Sequence, residues 1–153
     1  MSEALGLEFE VIEQLHIGRH SKVVRCRHKN TSVIVKTHPH PFARKNEVES
    51  LQKEYEIVQL MSSNSVHIVK YDSLIIKEFE DKKTAAAIIM DDCGGKSLLH
   101  VLPTNGFPVP KFLDIAIQCV QGLQVIHRNN IIHKDLKPAN MVTIFIFILT
   151  NSC

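Results

Sequence analysis

The spacing of hydrophobic and polar positions changes several times along the chain, and each change marks an element. An apolar stretch opens at Phe9, Val11 and Ile12, Lys22 to Arg27 alternates imperfectly, and Val33-Ile-Val-Lys36 closes a β-branched run. These patterns predict strands over residues 8–36, with a turn at Lys29-Asn-Thr-Ser32. His38-Pro-His-Pro41 interrupts regular structure, because each proline fixes φ and restricts the residue before it. From about Arg44 to Met61 the period lengthens: Val48, Leu51, Tyr55 and Val58 recur every three or four residues, which is one face of a helix.

Ser62-Ser-Asn-Ser65 ends that helix, and short apolar runs at Val66–Val69, Leu74–Ile76 and Ala85–Met90 predict further strands. The charged turn Glu80-Asp-Lys-Lys83 separates the last two. Gly94-Gly95 marks a hinge-like break, and a second long helix is expected from Lys111 to Arg128, with Pro110 at its start. Along it Phe112, Ile115, Ala116, Cys119, Val120, Leu123 and Ile126 hold helical spacing. A strand-rich front with one helix, followed by a helical second part, implies an α+β arrangement in two lobes.

Composition narrows the class of molecule. The chain has 153 residues, 44% hydrophobic and 22% charged, with a formal net charge of +2, which are globular proportions and not those of a disordered tail. So small a positive charge, with no basic stripe, argues against a nucleic-acid partner. Cys26, Cys93, Cys119 and Cys153 are scattered, with no Cys-x-x-Cys pair, and read as free thiols in a reducing cytoplasm. The acidic N-terminus lacks the apolar core of a signal peptide. The apolar run Ile144 to Leu149 falls far short of the roughly 20 residues of a membrane-spanning helix. His38 and His40 suggest a metal at first sight, but no acidic or cysteine partner stands at ligand spacing, so a solvated loop is the expectation.

The chemistry is concentrated in Ile131-Ile-His-Lys-Asp-Leu-Lys-Pro-Ala-Asn140, directly after the second helix. This segment resembles the catalytic loop of eukaryotic-type serine/threonine protein kinases, His-Arg-Asp-Leu-Lys-Pro-x-Asn, with Lys134 in place of the arginine. The resemblance implies a protein kinase-like fold and ATP-dependent phosphoryl transfer to protein hydroxyls. It makes Asp135 the carboxylate that orients the attacking hydroxyl, Lys137 a positive charge near the transferred phosphate, Asn140 a ligand for Mg²⁺, and His133 a structural brace.

Three further segments fit the same family. Val33-Ile-Val-Lys36 looks like the kinase Val-Ala-Ile-Lys strand, in which alternation puts Ile34 and Lys36 on one face. The resemblance implies that Lys36 reaches the α- and β-phosphates with Glu54 as its helix partner, Glu56 being the alternative within the same turn. Leu15-His-Ile-Gly-Arg-His-Ser-Lys-Val23 aligns with the glycine-rich phosphate loop through Leu15, Gly18, Ser21 and Val23. Only the middle glycine is kept, and losing two of three should stiffen the loop and weaken its grip on ATP. Ile34 also stands where the family has a small alanine beside the adenine. Ile88-Ile-Met-Asp-Asp-Cys-Gly-Gly-Lys-Ser-Leu98 resembles the hinge, with Met90 behind the adenine and backbone groups of Asp91 and Cys93 at its edge. The wording Asp-Asp-Cys-Gly-Gly-Lys-Ser-Leu, with Glu-Tyr-Glu-Ile and His-Lys-Asp, is similar to the kinase-like module at the front of certain hybrid sensor histidine kinases.

The resemblance implies three regions: a β-rich lobe over 8–92, a hinge and the start of a helical lobe over 93–142, and an atypical hydrophobic tail over 143–153. The Asp-Phe-Gly aspartate that holds Mg²⁺ in kinases does not occur in the 153 residues, so the expectation is a chain truncated before it and inactive alone. The competing expectation is a non-catalytic, pseudokinase-like module that binds a regulatory protein partner. Ile144 to Leu149 is uncharged, β-prone and free of proline, a pattern that aggregates when exposed.

Overall fold

The computed structural model describes residues 8–62 and 65–143, and the hydrophobic tail expected at 144–153 lies outside them. The chain forms two compact units, Met1–Asp92 and Cys93–Cys153.

The first unit is built on a five-stranded antiparallel sheet: β1 (Glu10–Ile17), β2 (Lys22–His28), β3 (Thr31–Thr37), β4 (Tyr71–Glu78) and β5 (Thr84–Asp91), in the order β1-β2-β3-β5-β4. The turn between β2 and β3 is tighter than its sequence suggested. Only Lys29 and Asn30 lie outside the strands, at φ 46° and 68°, and Thr31 and Ser32 already pair with β2. A two-residue hairpin loop needs positive φ at both positions to match the twist of the strands it joins.

Period-two alternation sorts the strand residues onto two faces. On one, Val24, Cys26, Val35, Ala85, Ala87 and Ile89 pack together with Phe9, Val33, Ile75 and Phe79 around them. On the other, Ala86, Ile88 and Met90 pack with Ile34, Tyr71 and Leu74 against Val48, Leu51 and Tyr55 of α1 (Lys45–Ser62). The strand β5 is therefore covered on both faces, which is why it reads as a continuous apolar run instead of alternating.

Helix α1 starts where the proline segment ends. The Glu47 carboxylate reaches back to accept the Arg44 backbone N–H at 2.7 Å, satisfying a donor that the helix itself leaves unpaired. That bond holds the Glu47 carboxyl below its ordinary range. The run Val66–Val69, expected as a strand, is instead a turn. The Ser65 hydroxyl accepts the His67 N–H at 3.1 Å, a local bond that competes with sheet pairing, and Val66 is left exposed.

The second unit holds β6 (Lys96–Ser97), the short α2 (Leu98–Val101), α3 (Val109–Arg128), a 3₁₀ turn (Pro138–Asn140) and β7 (Val142–Thr143), which pairs antiparallel with β6. The two glycines at its start have separate reasons. Gly94 takes φ 67°, and a Cβ on Gly95 would lie 1.9 Å from the Thr143 carbonyl oxygen, so only glycine lets β7 approach. Helix α3 closes with Asn130 in the left-handed region at φ 57°. The Ile131 N–H bonds the Ile126 carbonyl and the Asn130 N–H bonds the His127 carbonyl, the paired bonds that finish a helix of this kind.

Candidate active site

Each unit assembles its own group of polar residues. In the first, Lys36 lies on the α1-covered face of β3, two residues beyond Ile34 and opposite Ile88 of β5. Helix α1 presents Glu54 to that face from between Leu51 and Tyr55. The Lys36 Nζ stands 2.6 Å from both carboxylate oxygens of Glu54, and both side chains are partly shielded from water. A shared ammonium with two short charge-assisted bonds is stronger than an exposed pair. Glu56, the alternative one turn-step away, accepts from Gln52 Nε2 at 3.0 Å on the outer side of the helix.

Tyr71 completes this group, and nothing in the sequence pattern had set it apart from an ordinary core position. Its hydroxyl donates to Glu54 Oε1 at 2.6 Å from the first residue of β4. Burial, then the Glu54 charge and hydrogen bond, push the phenol well above its ordinary 10.0.

The remaining front-unit residues surround the same face of the sheet or its edge. Met90 lies opposite Ile34 on β5, and Tyr71 lies opposite Met90 on β4. Val23 pairs with Lys36 across β2 and β3, and Leu15 lies on β1 beside a register shift. Gly18 and Ser21 bound the β1–β2 loop, where the Gly18 N–H bonds the Ser21 carbonyl at 2.9 Å. Gly18 does not occupy the left-handed region, and a Cβ there would meet only the tip of the His16 ring at 2.7 Å. The Asp91 N–H is already committed to the Lys70 carbonyl at 3.2 Å.

Asp92, at the end of the first unit, is clasped by β2 and β3. Arg25 Nε donates to its Oδ2 at 2.8 Å, and the Ser32 hydroxyl bonds the same oxygen at 2.5 Å. Arg25 also bonds Glu13 of β1, and the Asp92 hydrogen bond is the main reason its guanidinium is held above its ordinary value. Cys93, where the second unit begins, is half-buried.

In the second unit the loop between α3 and β7 gathers Asp135, Lys137 and Asn140. Lys137 Nζ is 2.9 Å from Asp135 Oδ2, and Asn140 Nδ2 donates to that same oxygen at 2.9 Å and to the Asp135 carbonyl at 2.8 Å. The Lys137 bond, then the Asn140 bond, lower the Asp135 carboxyl below its ordinary 3.8. His133 braces the turn from inside: its carbonyl accepts the Asp135 N–H at 2.9 Å, and its Nδ1 lies 3.3 Å from the same N–H. An i→i+2 bond with Lys134 at φ 63° is a γ-turn of the rarer, strained hand. It turns the Asp135 side chain out to solvent. Both ends of the segment are tied down, by the α3 cap and by β7, where the Leu98 N–H bonds the Met141 carbonyl at 2.7 Å.

No group of three or more metal-ligating side chains occurs among the described residues, and the loop expected to be solvated instead buries His38. Phosphate-bound Mg²⁺ needs fewer protein ligands than a free-standing site, and an asparagine amide oxygen is a suitable hard donor. The Asn140 amide uses its nitrogen toward Asp135, which leaves its oxygen pointing away from that carboxylate.

A protein kinase domain family model matches residues 9–144. The chain belongs to the protein kinase domain family. This kinase chain is similar to serine/threonine-protein kinase pakH of Dictyostelium discoideum, 29% identical over 136 residues, which are 88% of this chain and 25% of that protein. It is 25% identical over 153 residues to cyclin-dependent kinase 4 of Xenopus laevis, covering 93% of this chain and 46% of the relative. A crystal structure of a kinase domain superposes with a TM-score of 0.73 at 23% identity, over 90% of this chain and 41% of that one, which establishes the fold. The kinase chain thus spans less than half the length of these relatives. Among the described residues no helix is long and apolar enough to cross a membrane.

Proposed function

We propose that the chain carries the nucleotide-binding lobe and catalytic loop of a serine/threonine protein kinase, with ATP as donor and protein hydroxyls as acceptor. The observation that carries this reading is the Lys36–Glu54 pair, both oxygens at 2.6 Å, on the face of β3 that the family uses for nucleotide. Lys36 then holds the α- and β-phosphates, oriented by Glu54, under the loop of Leu15, Gly18, Ser21 and Val23. Ile34, Met90 and the backbone of Asp91 and Cys93 line the adenine place. Asp135 orients the substrate hydroxyl, Lys137 offsets charge on the transferred phosphoryl group, and Asn140 offers an oxygen to Mg²⁺. The residues present fit ATP and Mg²⁺, which supply the phosphoryl group and the charge that neutralises it. The proposed organisation is a lobe over 8–92 and a hinge with the start of the second lobe over 93–142, in a cytoplasmic protein.

The test is an ATP-driven thermal shift, with and without Mg²⁺. The wild-type chain should gain several degrees with MgATP, and Lys36→Ala should lose the gain measured against its own apo midpoint. A folded wild-type sample with no shift sinks the nucleotide reading.

A second reading, a non-catalytic interaction module, is favoured by the phosphate loop. His16, His20 and Ser21 replace glycine and phenylalanine, and the His16 ring lies over the surviving Gly18. A MgATP shift abolished by Lys36→Ala favours the first reading, and no shift in a folded sample favours the second. Phosphate transfer lost in Asp135→Ala would overturn the expectation that the chain is inactive alone. The narrower placement beside the kinase-like module of hybrid sensor histidine kinases rests on the Asp91–Leu98 wording. It stands or falls with a histidine kinase region in the same transcript.

A further inference from the structure

Lys36 and Glu54 sit on different elements, so their pairing depends on what keeps α1 against the sheet at that level. Three bonds join α1 to the first two residues of β4. The Tyr71 hydroxyl donates to Glu54, Gln59 Nε2 donates to the Tyr71 carbonyl, and the Tyr55 hydroxyl lies 3.3 Å from the Asp72 carbonyl. The last two hold the helix body. Only the first reaches the carboxylate, and it does so on the oxygen that Lys36 also uses.

A glutamate side chain has three rotatable bonds, and a single lysine can follow it into several arrangements. A phenol fixed by a packed ring removes that freedom, because its oxygen moves only with the ring. Tyr71 packs against the buried cluster of Leu51, Ala86, Ile88 and Met90, so the oxygen is set by the core. Burial and the neighbouring carboxylate keep the phenol protonated, hence a donor, through the physiological range.

We propose that Tyr71 is a positioning residue of the nucleotide site, holding the Glu54 carboxylate in the orientation that aims Lys36. The inference rests on the nucleotide reading above and adds a residue to it. Removal of the hydroxyl alone leaves the ring packing intact and frees the Glu54 carboxylate to rotate. A charge-assisted hydrogen bond of this kind corresponds to about tenfold in an equilibrium. Because only part of it reaches the phosphates, nucleotide should bind about 3- to 10-fold more weakly.

The experiment measures MgADP and MgATP affinity calorimetrically in the whole chain for wild type, Tyr71→Phe, Glu54→Gln, the double variant and Lys36→Ala. Hydrogen exchange across residues 45–62 is followed without nucleotide in the same proteins. Tyr71→Phe should remain folded with a cooperative transition, weaken nucleotide by the stated factor and speed exchange around Glu54. In the Glu54→Gln background both effects should shrink, since the charge that strengthens the bond is gone. Loss of affinity in Lys36→Ala together with wild-type affinity and exchange in Tyr71→Phe overturns the inference and leaves the nucleotide reading standing. Equal effects of Tyr71→Phe in both backgrounds also overturn it, because the tyrosine would then act through packing. Wild-type affinity in Lys36→Ala overturns the nucleotide reading, and the role of Tyr71 in that site with it.

Discussion

The two units of this kinase chain show how differently a sheet and a helix secure polar residues. In the first, Lys36 and Glu54 stand above a layer in which Ile88, Val24, Val35 and Cys26 are almost wholly sealed from water. Both faces of β5 are covered, and α1 closes one of them. In the second, α3 buries only Gly122 and Ile126, while Phe112, Ile117 and Val120 remain more than half exposed. Asp135, Lys137 and Asn140 are held there by hydrogen bonds to one another and by a strained turn, with little core beneath them. Order in the first unit comes from burial, and order in the second loop comes from local bonds.

The sharpest way to break that contrast is to remove the same side-chain bulk from each unit. Ile88→Ala, at a site with no exposure, should cost about 2–5 kcal/mol, because a cavity adds to the lost transfer energy. Ile117→Ala, at 56% exposure, should cost less than about 1 kcal/mol. Urea denaturation of the two variants checks both, and equal costs would show that α3 is as well packed as the sheet.

A smaller effect is expected at the strained turn. Lys134 holds φ 63° with a side chain that disfavours it, so Lys134→Val should destabilise the loop by about 1–2 kcal/mol. Lys134→Gly should not. Amide exchange at Asp135 reports the difference, and equal protection in the two variants would mean that the turn carries no strain.

The smallest effects are at the two ends of the pH scale, and they differ in sign. The raised Tyr71 phenol contributes stability that is complete below its ordinary 10.0 and is lost as pH rises beyond it, when unfolding releases a proton. The lowered Asp135 carboxyl contributes stability that is present above its ordinary 3.8 and fades as pH falls below it. Lys137→Met should therefore move the Asp135 titration, followed by carboxyl carbon shifts, back toward 3.8. Glu54→Gln should move the alkaline limb of the denaturation profile upward, since Tyr71 loses its anionic neighbour but keeps its burial. No movement in either case would dissociate these pairs from the stability of their units.

Much of this is legible in the sequence. Strong periodicity located β3, α1, β5 and α3, because long amphipathic or fully apolar segments have few ways to bury themselves. The run from His133 to Asn140 carried its own chemistry, since its loop is held by bonds between residues close in sequence. Val66–Val69 has the pattern of a strand because a serine-capped turn leaves no mark on hydrophobic spacing. The sequence does not mark where the turn at 29–30 ends, because Thr31 and Ser32 are as acceptable in a strand as in a loop.

The part that only the folded chain decided lies between elements distant in sequence. Two glutamates stand within one turn of α1, and the rotation of that helix on the sheet turns Glu54 toward Lys36 and leaves Glu56 to Gln52 of the same helix. Tyr71 meets the Glu54 carboxylate because β4 lies next to β5 with Tyr71 opposite Met90. Asp92 found Arg25 and Ser32 from two other strands in the same way. Local sequence sets which elements form, since period and turn chemistry act over a few residues. Pairing across a sheet depends on register and helix orientation, which the packed core sets only once all the strands are in place.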